Sequence, residues 1–104
     1  MTELLEQIQA LIDTSARDID EIERTLTDGY AHALTLEAER SRLNRRLAEV
    51  ARGIQRGDTA KKARELASLS KRLEGTDGDL STLRMLLVDL RKHADDVRVG
   101  SPSR

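Results

Sequence analysis

The chain has no cysteine, no tryptophan and no phenylalanine, and Tyr30 is its one aromatic residue. Disulfide staples, thiolate metal sites and cysteine nucleophiles are thereby excluded, and no core can be built around large ring anchors. Pro102 is the one proline, and six glycines complete the turn material, which is too little for an all-β fold. No apolar run approaches the roughly 20 residues that cross a bilayer. The opening Met1-Thr2-Glu3-Leu4-Leu5-Glu6 is acidic and amphipathic, whereas a secretion signal is basic and then continuously apolar. A cytoplasmic setting is expected.

What remains is Leu, Ile, Val and Ala interleaved with charge, the composition of long helices and coiled coils. At 104 residues one helical domain is expected, over residues 1–98. Charged residues make up 36% of the chain and the net charge is −1, but the signs are segregated. Residues 1–39 carry ten acids against two bases; residues 40–72 carry eleven bases against Glu49, Asp58 and Glu65; residues 73–104 carry six acids against five bases.

Apolar residues recur at a 3-4 spacing through Leu5, Ile8, Ile12, Ile19, Ile22, Leu26, Ala33, Leu36, Leu43, Leu47, Val50 and Ile54, interrupted at Ser15, Gly29 and Arg40. A second array runs through Leu66, Leu69, Leu73, Leu80, Leu83, Leu87, Leu90, Ala94 and Val97, with Thr76 as its polar member. A period of 3.5 held this long is the signature of a helical seam packed on another. Between the arrays, Gly57 suits the residue after a helix end and Asp58 or Thr59 the next N-cap. The expected fold is an all-α antiparallel hairpin of coiled-coil type turning near Gly57 and Asp58. Residues whose numbers add to about 116 then face each other. Val50 meets Leu66, Leu47 meets Leu69, Leu43 meets Leu73 and Leu36 meets Leu80. The defects match too, since Arg40 falls opposite Thr76 and Gly29 opposite Leu87.

Thr27-Asp28-Gly29 and Thr76-Asp77-Gly78 share one tripeptide, and each admits a break, a kink or an uninterrupted helix. Helices are expected over about 2–27, 30–56 and 59–98, with residues 75–78 as a second site of interruption and 99–104 as a disordered tail. The simple hairpin leaves Leu4, Leu5, Ile8, Leu11 and Ile12 facing water, so that apolar face must be covered. Either the first helix is a third bundle member, reversing at Thr27 to Gly29, or it is a dimerisation arm. Charge favours packing of the acidic first helix on the Arg-rich 40–56 stretch. Like-charged flanking pairs in the bare hairpin, Glu37 with Asp77, Glu39 with Asp79 and Arg46 with Arg72, also call for a further helix.

Catalytic and metal chemistry has little to work with. Asp28 precedes His32 and Asp89 precedes His93 by four residues, a spacing that shares a helix face. The hairpin register nevertheless sets the two histidines far apart, and the ordinary reading is a flanking histidine beside an acid. No phosphate-binding glycine loop, Glu-x-x-His pair or nucleophile elbow occurs, so no enzyme activity, cofactor, metal or small-molecule substrate is expected. The acidic polar face of the first helix disfavours anionic membranes. The expected function is that of a small helical scaffold or adaptor, acting through homo-oligomerisation, as a dimer, and protein–protein contact at Leu4, Leu5, Ile8, Leu11 and Ile12. The alternative is a nucleic-acid-associated regulator that grips phosphates with Arg42, Arg45, Arg46, Arg52, Lys61 and Lys62.

Overall fold

The computed structural model describes residues 2–54, 57 and 59–100. It contains three helices, α1 (Thr2–Asp13), α2 (Ile19–Ile54) and α3 (Thr59–Gly100), and no strand among the described residues. Two compact units form, one from residues up to Leu34 with those from Ser81 onward, the other from Thr35–Leu80. The all-helical antiparallel hairpin is the observed architecture.

In the Thr35–Leu80 unit, α2 and α3 mate through the expected seam. Leu43, Val50 and Leu69 are buried, and Leu47, Leu66 and Leu73 pack against them. These are the residues that the 116 register brings together. Each leucine so buried contributes roughly 1.5 to 3 kcal/mol. Thr76 is buried among the apolar positions, while Arg40 turns outward and its guanidinium meets Asp77 at 3.6 Å. At the hairpin tip Gly57 has φ +114°, a conformation costly for any residue with a Cβ, and its N–H donates to the Ile54 carbonyl. Asp58, one of the two expected N-caps, lies outside the described residues; Thr59 is the first residue of α3.

The other unit contains the main departure from expectation. The first helix ends at Asp13 and the second begins at Ile19, so the reversal falls between them and not at Thr27 to Gly29. Its chemistry is that of a helix end closed by a residue in the left-handed region. Ser15 has φ +51°, its N–H donates to the Ile12 carbonyl, and the Ala16 N–H donates to the Leu11 carbonyl, which satisfies carbonyls that a helix end leaves open. Asp18 then caps α2, its Oδ1 accepting from the backbone N–H groups of Asp20 at 3.1 Å and Glu21 at 3.3 Å. Ile8 and Leu11 of α1 are buried, with Ile22, Leu26 and Ala33 of α2 and Leu83, Leu87, Leu90, Ala94 and Val97 of α3. The one hydroxyl within this core, Thr25, accepts a hydrogen bond from Gln7 Nε2 on α1 at 3.3 Å. The first helix is therefore the third bundle member, reached by an earlier turn than expected.

Neither Thr-Asp-Gly tripeptide interrupts its helix. Gly29 is needed for space, because a Cβ there would collide with Cδ2 of the buried Leu87, the smallest-against-large match of the register. Gly75 and Gly78 are exposed, with open space where a Cβ would stand. They weaken α3 without breaking it, since buried Thr76 and Leu80 hold that turn. At the C-terminal end the helix continues through Val99 and Gly100, two residues expected in the tail, because buried Val97 anchors the last turn. The remainder of the expected tail, 101–104, lies outside the described residues.

Glycine and serine substitutions therefore differ by position. Gly75→Ala and Gly78→Ala should each raise unfolding free energy by about 0.5 to 1 kcal/mol, whereas Gly29→Ala should lower it by roughly 1 to 3 kcal/mol through overpacking on Leu87. Urea titration followed by circular dichroism reads all three. Ser15→Gly should raise stability by about 0.5 kcal/mol, relieving the left-handed backbone less the glycine's own entropy. Ser15→Val should lower it by roughly 1 to 3 kcal/mol, and a valine tolerated without loss would remove the left-handed turn from this description.

Candidate functional site

The apolar residues of α1 do not form an open face. Ile8 is fully buried and Leu11 is 7% exposed, while Leu4, Leu5 and Ile12 are half-buried. Gln7 sets α1 beside Thr25 of α2, and the α1–α2 turn is fastened to α3 where His93 Nε2 meets the Ala16 carbonyl oxygen. His93 thus has a structural partner, and His32 is half-buried on α2. No group of three or more His, Asp or Glu residues able to hold a metal occurs among the described residues.

Covering one edge of the α2–α3 pair leaves the opposite edge of this unit open. Thr25 and Tyr30 are five residues apart, hence about 140° apart around α2, and His93 and Arg91 are likewise on opposing sides of α3. Along the open edge Glu23, Leu26, Thr27 and Tyr30 of α2 and Arg91 and Arg98 of α3 line a shallow groove. An ion pair between Arg98 and Glu23 crosses it, with Arg98 two turns beyond Arg91 on α3. Tyr30 is 43% exposed, Leu34 67% and Val88 61%. Tyr30 lines the groove; Leu34 follows it by one turn on α2, and Val88 precedes Arg91 by three residues on α3. Met85 is also exposed, further round α3. These residues fall outside the 3-4 seam; apolar side chains out of phase with an otherwise strict pattern are the signal by which the sequence shows them.

The second surface is electrostatic and belongs to the Thr35–Leu80 unit. Arg46 donates to Glu65 Oε2 from Nη2 at 2.7 Å and from Nε at 3.2 Å, and its Nη1 lies 3.4 Å from Glu49 Oε2. The hydrogen bond to Glu65, followed by its charge, raises the Arg46 guanidinium above its already high ordinary value. Arg46 thus meets carboxylates instead of the like-charged Arg72 of the simple register. The carboxylates that reach Arg40 and Arg46 come from residues 49–77 and not from the acidic first helix, whose place is in the other unit. Charge attraction to the 40–56 stretch did not decide where α1 packs; its apolar stripe did. Of the remaining candidate phosphate ligands, Arg42, Arg45, Arg52 and Lys61 are exposed. Lys62 is half-buried, its aliphatic stem lying where a Cβ at Gly53 would press at 2.9 Å.

No helix among the described residues is long and apolar enough to cross a membrane. No family model matches the chain, and no curated protein or solved structure matches it.

If Ile8 belongs to the chain's own core, Ile8→Ala should lower unfolding free energy by roughly 2 to 5 kcal/mol in dilute monomer. A substitution that left that stability intact and changed only the solution mass would return Ile8 to an interface.

Proposed function

We propose that this chain is a small helical scaffold or adaptor that acts through protein–protein contact, self-association included, and not through catalysis. The observation that carries this reading is the open edge of the three-helix unit, where exposed Tyr30 lines the groove and exposed Leu34 and Val88 stand about one helical turn from its lining residues. An aromatic and two aliphatic side chains close to Glu23, Arg91 and Arg98 combine apolar and charged groups as protein interfaces do. Of Leu4, Leu5, Ile8, Leu11 and Ile12, Ile8 and Leu11 are buried within the unit, while Leu4, Leu5 and Ile12 are half-buried. A second copy offers the same edge, and a two-fold pairing of the two is the commonest way such a surface is satisfied. A chain without cysteine fits the reducing cytoplasm, and that setting belongs to the same reading.

Light scattering over a range of concentrations tests it. Wild type should reach the mass of a dimer, and Leu34→Glu/Val88→Glu should return it to monomer with helix content unchanged, since both positions are exposed. A wild type that stays monomeric at every concentration, or a double variant that dimerises as well as wild type, removes the self-association part of the proposal.

A further inference from the structure

The Thr35–Leu80 unit presents a different surface from the edge just described. The exposed large hydrophobic residues of the described chain are Tyr30, Leu34, Met85, Val88 and Val99, and none of them falls within residues 35–80. The exposed side chains that dominate there are cations.

Their placement follows from the Arg46–Glu65 contact, which brings one edge of α2 against one edge of α3. Arg42 is one turn before Arg46 on that edge, and Arg45 and Arg52 form the next stripe outward, seven residues apart. On α3, Lys61 lies one turn before Glu65 and Arg72 two turns after it, with Arg64 and Lys71 forming the neighbouring stripe. All seven are exposed, and none has a carboxylate partner among the described residues. The two acids within the patch, Glu49 and Glu65, are already held by Arg46. Glu39 and Asp79 bound it. At 1.5 Å per residue, the span from Arg42 to Arg52 is about 15 Å, as is that from Lys61 to Arg72.

We propose that this edge is a docking surface for the phosphodiester backbone of a nucleic-acid duplex, bound by charge and shape without reading sequence. The surface is arginine-rich, and the planar guanidinium fork matches phosphate oxygens. Its length spans about four to five base-pair steps at 3.4 Å each, enough for several phosphates on each flanking strand. The single ring, Tyr30, lies outside the unit, so base stacking of the kind that holds single strands is not supplied. A membrane surface would need an apolar anchor beside the cations, and a protein interface would need an apolar centre; this edge has neither.

The test is fluorescence anisotropy of the full chain with a labelled duplex of mixed sequence, between 50 and 200 mM salt. Binding should weaken with salt at a logarithmic slope of about −4 to −5, as expected for roughly five phosphate contacts. Arg42→Gln/Arg72→Gln, with unchanged helix content, should weaken binding at least tenfold and reduce the slope by about one for each contact removed. The pair Arg24→Gln/Lys92→Gln changes net charge equally on the other unit and should leave binding within about twofold of wild type, as expected if it removes no phosphate contact. Absence of binding at 50 mM salt overturns the proposal, as does equal weakening by both pairs. So does a low-salt self-association, without duplex binding, that Arg42→Gln/Arg72→Gln abolishes; the patch would then serve an acidic face of a second copy.

Discussion

A 12-residue helix is marginal in water on its own, and α1 carries five large aliphatic residues along one face. It is retained because the chain covers that face itself, with Ile8 and Leu11 enclosed in the unit formed with the start of α2 and the end of α3. Much of the remaining structure follows from this. The reversal must fit in residues 14–18, which forces Ser15 into a left-handed conformation, and it must restart a helix at once, which Asp18 enables by capping two backbone N–H groups. The strain at Ser15 is small beside the roughly 3 to 6 kcal/mol that burial of two aliphatic side chains contributes.

Covering that face also separates the two kinds of surface. The acidic residues of α1 and the start of α2 stay with one unit, whose open edge mixes exposed apolar and charged side chains. Arg42, Arg45, Arg46, Arg52, Arg64 and Arg72 stay with the other, where Arg46 holds Glu49 and Glu65 and the other five have no carboxylate partner among the described residues. Net charge near zero conceals this division. Apolar burial decided the packing and the charges followed, as expected where exposed ion pairs are individually weak.

Much of the fold was legible in the sequence because the seam between α2 and α3 is strict. Its register predicted which leucines meet and why Gly29 sits under Leu87. The reversal was not legible from periodicity, for a specific reason: Ile12, Ser15 and Ile19 keep the 3-4 phase straight across the turn, so the pattern reads as one helix where there are two. The capping signal Asp18-x-x-Glu21 was present, but its weight was hidden by the more conspicuous Thr-Asp-Gly tripeptides, which the helices absorb. For the surfaces, the basic stretch was visible as composition. Which of its members are unpaired depends on the Arg46–Glu65 contact, displaced by about a helical turn from the core register. The exposed Leu34 and Val88 were marked by being out of phase.

Native-state hydrogen exchange of the α1 amides, in protein dilute enough to be monomeric, tests the self-covered first helix most directly. Backbone N–H groups around Ile8 and Leu11 should be protected to the same order as those of the α2 and α3 core within the same unit, and that protection should not change on dilution. Amides in α1 that exchange as an isolated 12-residue helix would, or that gain protection only as concentration rises, would contradict it.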